Sequence, residues 1–206
     1  KWFADGSPGN IRKDEWTLVA ELKNAVVKSN EIDLSFTAGS ITYTVRLSAL
    51  KIGGFRLNSA QEGFYKPETV AFASVKENGN EITVKNGDAV AIINKGANWS
   101  VVFKGSEAGM EKYRLQKGDI AIRIKDGKIA GTDYSGALAP DEAIFGFGER
   151  FDAVNQRGRI LTLWDIDAWE ATFQGVFNHM YKIIPVVHSS KGYSVYMNNS
   201  YRIRCD

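Results

Sequence analysis

Apolar and polar residues alternate one by one through much of this chain, the period of a strand with one face buried. "DLSFTA" and "ITYTVRL" alternate on either side of Ala38-Gly39-Ser40, which predicts a hairpin. "TVAFASVKENGNEITVKNGDAVAIIN" repeats the pattern, with turns at Asn78-Gly79-Asn80 and Asn86-Gly87-Asp88. "NWSVVFKG" follows, then "DIAIRIKDGKIAG" with its turn at Asp126-Gly127. "ILTLWDID", "YKIIPVVHS" and "YSVYMNN" complete the strand-like segments. Only "RKDEWTLVAELKNAVV" competes as a helix, and it ends in β-branched residues. Many short strands joined by Gly and Asn turns predict an antiparallel β-sandwich or barrel. A single β-domain over residues 12–206 is expected. Residues 1–11 form an N-terminal extension, read as a loose or edge-docked start.

Composition narrows the function classes. With 206 residues, 44% apolar and 24% charged, the chain is long enough to bury a core without a metal or disulfide. A net charge of +2, with basic residues scattered, speaks against a nucleic-acid partner. No apolar run approaches the roughly 20 residues that span a bilayer, so no membrane partner is expected. The single cysteine, Cys205, excludes an internal disulfide. The chain begins at Lys1 and reads as processed or cut, which suits a periplasmic or secreted bacterial protein, with a cytoplasmic one as the alternative.

Candidate chemistry concentrates late in the chain. "GFGER", Gly146 to Arg150, lacks the third glycine and the βαβ setting of a dinucleotide site. Its glycines predict a bulge or a close approach of another segment, and on a strand Glu149 and Arg150 would face opposite ways. "NQRGR", Asn155 to Arg159, predicts a turn whose arginines either brace a neighbouring loop or hold an anion. In "LWDIDAW", Asp165 and Asp167 share a face if the chain is extended. Two carboxylates on one face call for a cation, a basic side chain or ligand hydroxyls between them. The flanking Trp164 and Trp169 suit a sugar, because an indole covers the apolar face of a ring while an acid accepts from its hydroxyls. The plain alternative is a loop with solvated acids. His179 and His188 lack metal-ligand spacing, and no Ser-His-Asp or Cys-His arrangement is visible. No catalytic residue, metal or cofactor is assigned. "EATFQGVFNHM" reads as a long loop, and its Phe173, Phe177 and Met180 favour packing against a partner.

These residues also carry a family resemblance. "FGFGERFDAVNQRGRILTLWDIDAW", then "YKIIPVVHSSKGYSVYMNNS" after a loop, resembles the N-terminal β-sandwich of glycoside hydrolase family 31, which includes α-glucosidases and α-xylosidases. The family pattern is a "G-G-E-R-F" strand, an "N-x-x-G" turn, a "W-N-x-D" strand end, "Y-K-x-I-P-F" and "G-Y-G-V-F-x-N". Asp165 stands where that pattern has asparagine. The resemblance implies a galactose-mutarotase-like sandwich preceding a catalytic (β/α)8 barrel on the same polypeptide. It implies that the barrel supplies the aspartate nucleophile and general acid/base of a retaining mechanism, so that the isolated chain is inactive. It further implies that the loop after the "W-N-x-D" strand end helps line the pocket for an α-glycoside substrate. Asp167 is then the residue expected to touch sugar hydroxyls, with Trp169 near the aglycone side and Asp165 facing either the ligand or Arg157 or Arg159. Two other classes compete: a stand-alone carbohydrate-binding module, and a free mutarotase-type enzyme. The last needs a histidine acid and a carboxylate base in one cleft.

Overall fold

The computed structural model describes residues 2–4, 16–59, 68–150, 153–164, 182–199 and 202–205. All regular structure among them is β, paired in antiparallel fashion, as the alternation along the sequence predicted. In chain order the strands are β1 (Trp2–Ala4), β2 (Trp16–Leu18), β3 (Glu21–Val27), β4 (Glu31–Ala38), β5 (Ile41–Ala49) and β6 (Phe55–Ser59). Next come β7 (Ser74–Asn78), β8 (Glu81–Asn86), β9 (Ala89–Asn94), β10 (Ser100–Lys104), β11 (Glu111–Gln116) and β12 (Ile120–Lys125). The last six are β13 (Lys128–Tyr134), β14 (Ile144–Gly146), β15 (Leu161–Leu163), β16 (Val186–Ser189), β17 (Tyr193–Tyr196) and β18 (Ile203–Cys205).

The chain divides into two compact units, Thr17–Ile122, and Lys1–Trp16 together with Arg123–Asp206. The Thr17–Ile122 unit is a two-layer sandwich. One layer has the order β3-β4-β5-β6 and the other β11-β10-β9-β8-β7. The alternation read from the sequence is realised directly: β4 is half-buried and buried by turns along its whole length, with Ile32, Leu34, Phe36 and Ala38 facing inward. Trp99 joins the layers, its indole edge-on to Phe36 with centroids 4.8 Å apart. The Asn86 amide donates to the carbonyls of Leu50 and Gly54, tying the end of β8 to the turn before β6. The outer face of the four-stranded layer is charged. Arg46 binds Asp33 in a two-bond fork, Nε to Oδ1 at 2.6 Å, and Lys28 reaches the same carboxylate at 2.9 Å. The competing helix does not form. Residues 16–18 and 21–27 are strands, and the β-branched Val26 and Val27 fit the pleat better than a helix.

The second unit holds a six-stranded sheet, β15-β18-β1-β13-β12-β2, and a three-stranded sheet, β14-β16-β17; the boundary between the units falls within β2 and β12. Its core gathers Ile144, Phe147, Leu161, Leu163, Val187, Ile203 and Cys205. Burial pushes the Cys205 thiol well above its ordinary range. Within the expected extension only residues 2–4 are described: they form β1, which sits between β13 and β18 and pairs with both. Both partners come from late in the sequence, so local pattern could place the strand but not its neighbours.

Candidate substrate-facing site

The motif region is built on one strand ending. β14 stops at Gly146 because Gly146, Phe147 and Gly148 all have left-handed backbones, with φ of 113°, 70° and 91°. A strand with alternating faces over "GFGER" is therefore not what forms. The expected close approach is what the glycines supply. A Cβ on Gly146 would fall on the Val186 carbonyl oxygen, and one on Gly148 would fall on the Lys182 carbonyl oxygen. In that tight space the Phe147 N–H donates to Val186 O and the Glu149 N–H to Lys182 O, both at 3.0 Å. Glu149 and Lys182 also pair through their side chains at 3.7 Å, both largely in solvent.

The "NQRGR" turn is a brace. Asn155 Oδ1 accepts from the N–H groups of Ile144 and Arg157, each at 3.1 Å. Arg157 Nη1 donates to the carbonyls of Ala139 and Glu142, each at 2.6 Å. This is the loop-bracing role among the two the sequence left open.

Behind the brace lies a group that sequence reasoning missed. Glu142 is 4% exposed. Its carboxylate accepts from Ser189 Oγ, from Tyr193 Oη at 2.6 Å and from the Ala139 N–H at 2.8 Å. Burial alone would push the Glu142 carboxyl up, but the Ser189 and Tyr193 hydroxyls and the Ala139 N–H hold it below its ordinary 4.5. Burial, then the Glu142 carboxylate, push the Tyr193 hydroxyl far above 10. Next to it Lys191 Nζ binds Asp141 at 2.6 Å. The available signal was weak: "PDEA" and "HSSKGY" are both polar interruptions between apolar runs, and nothing local says that they meet.

Glu142 and Asp33 give an acid-unfolding prediction with a fixed sign. Asp33 is held below its ordinary 3.8 chiefly by its bonds from Arg46. A carboxyl whose folded pKa is depressed contributes stability above the unfolded pKa and loses it as pH falls through the folded one. Stability is therefore expected to be level from pH 7 down to the ordinary 4.5 of Glu142 and to fall steadily below it. Urea midpoints measured from pH 7 to pH 2.5 check this, with Glu142→Gln flattening part of the fall.

Asp165, Asp167 and Trp169 lie outside the described residues, as do Phe173, Phe177, His179 and Met180. The stretch that carries them leaves at Trp164 and returns at Lys182. Trp164 follows β15, is 44% exposed, and has the Arg202 guanidinium 5.9 Å from its ring centroid. His188 is exposed on β16 and hydrogen-bonded to Ser194 across the strand pair at 2.7 Å. Elsewhere, a shallow depression on the outer face of the five-stranded layer has Ile92 and Val102 at its floor, and its Glu111 and Arg114 are already paired to each other.

Comparison with known proteins agrees with this construction. Residues 13–206 match the family described as the glycosyl hydrolase 31 N-terminal galactose mutarotase-like domain. The α-xylosidase XylQ of Lactiplantibacillus pentosus is 22% identical over 188 residues, 91% of this chain and 24% of its own length. The cycloalternan-forming enzyme of Listeria monocytogenes, solved with a pentasaccharide substrate, superposes with a TM-score of 0.75 at 21% identity, over 91% of this chain and 18% of that one. The GH31 dextranase FjDex31A of Flavobacterium johnsoniae, solved with isomaltotriose, gives a TM-score of 0.64 at 20% identity, over 90% and 23%. The chain thus spans a quarter or less of the length of each of these relatives. On this match the chain belongs to the glycosyl hydrolase 31 N-terminal galactose mutarotase-like domain family.

Proposed function

We propose that this domain is the non-catalytic N-terminal part of a retaining α-glycoside hydrolase, of α-glucosidase or α-xylosidase type. It supports a (β/α)8 barrel of the same polypeptide and lends a loop to that barrel's sugar pocket. The observation that carries the reading is the family match over residues 13–206, which includes the motif-bearing stretch from Gly146 to Asn198. The two aspartates of the retaining reaction belong to the barrel, one as nucleophile and one as general acid/base. In the loop between Trp164 and Lys182, the Asp167 carboxylate accepts hydrogen bonds from sugar hydroxyls and orients the ring. Trp169 covers an apolar ring face, and Asp165 adds charge beside it. Named relatives act on, or are bound to, α-linked sugars, and the same chemistry is assigned here to the whole polypeptide.

The test uses the full-length protein and aryl α-glucoside and α-xyloside substrates. A charge-assisted hydrogen bond is worth about 1.5–3 kcal/mol, so Asp167→Ala is expected to lower kcat/KM by roughly 10- to 150-fold with folding intact. The isolated 206-residue chain is expected to hydrolyse neither substrate. Hydrolysis by the isolated chain, or an Asp167→Ala enzyme with unchanged constants, overturns the reading. Sub-millimolar sugar binding by the isolated chain would instead make it a binding module, since part of a shared pocket holds too few contacts for that.

A further inference from the structure

Two hairpin turns in the five-stranded layer carry the same dipeptide in the same setting. Asn78-Gly79 leaves β7 for β8, and Asn86-Gly87 leaves β8 for β9. Asn78 pairs with Glu81 and Asn86 with Ala89, so each loop is two residues long. Gly79 and Gly87 both turn at φ 59°, with open space where a Cβ would stand. Neither glycine N–H is held in a hydrogen bond among the described residues. A backbone nitrogen that is unbonded and has no side chain beside it is open to approach. The side-chain amide carbon of the preceding asparagine comes within its reach by closing a small ring. The two turns part at that amide.

Asn86 is 9% exposed, and its Nδ2 donates to Leu50 O at 2.9 Å and to Gly54 O at 2.6 Å. Turning its amide toward Gly87 would break both bonds of a buried group. Asn78 is exposed, and its amide has no partner among the described residues. We infer that Asn78 is a site of spontaneous deamidation and that the fold shields Asn86 from the same reaction. The Gly79 nitrogen gives up its proton to water and attacks Cγ of Asn78. A C–N bond forms, and Nδ2 takes up a proton and leaves as ammonia, closing a succinimide. Water then opens the ring at either carbonyl, which leaves aspartate or isoaspartate at position 78. One water enters and one ammonia departs, with no change of oxidation state. Either product disturbs the turn. Aspartate places a carboxylate directly opposite Glu81 and next to Glu77, and like charges directly opposite destabilise a sheet. Isoaspartate routes the main chain through the side-chain carbon, so the Asn78–Glu81 pair that ends the edge strand β7 loses its register.

The test ages the full-length protein in mildly alkaline buffer and maps its peptides by mass spectrometry, with isoaspartate marked by isoaspartyl methyltransferase labelling. In the folded protein, position 78 is expected to convert at least about ten-fold faster than position 86, because Asn86 must first open locally and reacts only in that fraction. In concentrated urea the two are expected to convert within about two-fold of each other, since both are then unbonded Asn-Gly pairs in a flexible chain. Gly79→Ala is expected to slow conversion at position 78 at least about ten-fold and to leave position 86 as it was, because a methyl group then shields the nitrogen. Equal conversion at both positions of the folded protein, or none at either, overturns the inference. A ratio that persists in urea overturns it as well, since the flanking residues and not the fold would then set the difference. A wild-type rate at position 78 in folded Gly79→Ala removes the attacking nitrogen from the step and has the same effect. Should Gly79→Ala disturb the hairpin, the comparison of folded with unfolded wild type decides alone.

Discussion

Trp99→Ala is expected to cost about 4 kcal/mol, the usual range for emptying a fully buried aromatic site. Trp99 is 1% exposed and lies edge-on to Phe36, also 1% exposed, so its removal opens a hole where the two layers of the Thr17–Ile122 sandwich meet. Neither neighbour can collapse into that hole. Phe36 is pinned in β4, which pairs on both sides with β3 and β5, and the next residue after Trp99 is already in β10. The Tm is expected to fall by roughly 10–15 °C, with the Phe36 ring losing its fixed near-ultraviolet signal. Trp99→Phe separates packing from hydrogen bonding. The indole Nε1 has no hydrogen-bond partner among the described residues, so a phenyl ring forfeits volume but no bond. It is expected to cost about 1 kcal/mol. Equal losses for the two variants would show that the indole N–H, rather than the filled volume, holds the layers together.

How far such features were legible in the sequence depends on how local their causes are. The β4–β5, β7–β8, β8–β9 and β12–β13 hairpins were readable because strand period and turn residues lie within a few positions of one another. The edge strand β3 was readable only in part, since a bulge between Leu22 and Asn24 depends on its partner β4. The neighbours of β1 were not readable from local pattern, because the strands that flank it are β13 and β18. "GFGER" was read correctly for its glycines and incorrectly for its backbone. A close approach is a common reason for paired glycines, but three left-handed residues in a row are dictated by the 182–187 segment, which no local pattern reveals. The site divides in the same way. The frame was legible from spacing and resemblance: Trp164, the Asn155 turn, and the return at Lys182 and Pro185. The residues expected to meet sugar, Asp165, Asp167 and Trp169, lie outside the described residues.

Glu142 shows what a nonlocal polar group contributes, and Glu142→Leu is expected to cost about 3–5 kcal/mol. The carboxylate is the acceptor for two hydroxyls that have come from β16 and β17, and for one backbone N–H of its own turn. Leucine fills similar space but accepts nothing, so the Ser189 hydroxyl, itself 8% exposed, and the Tyr193 hydroxyl lose their acceptor. Losing this charged acceptor costs about 1–3 kcal/mol at the buried Ser189 hydroxyl, and the half-buried Tyr193 hydroxyl and the N–H of Ala139 add to the loss. Glu142→Gln keeps an acceptor oxygen and is expected to cost about 1–2 kcal/mol, since only the charge assistance is lost. The distinguishing readout is Tyr193. Its hydroxyl is pushed above 10 by burial first and by the Glu142 carboxylate second, so removing the carboxylate lowers its titration toward the ordinary value while burial keeps it above. Because a raised folded-state pKa contributes stability below the unfolded value and loses it as pH rises from there to the folded value, the variant is expected to be less stable at neutral pH and to lose less on going above pH 10 than the wild type. A spectrophotometric tyrosine titration of wild type, Glu142→Gln and Glu142→Leu between pH 8 and 12 checks the order. If Tyr193 titrates identically in all three, the Glu142–Tyr193 bond is not what joins the 139–144 turn to β17.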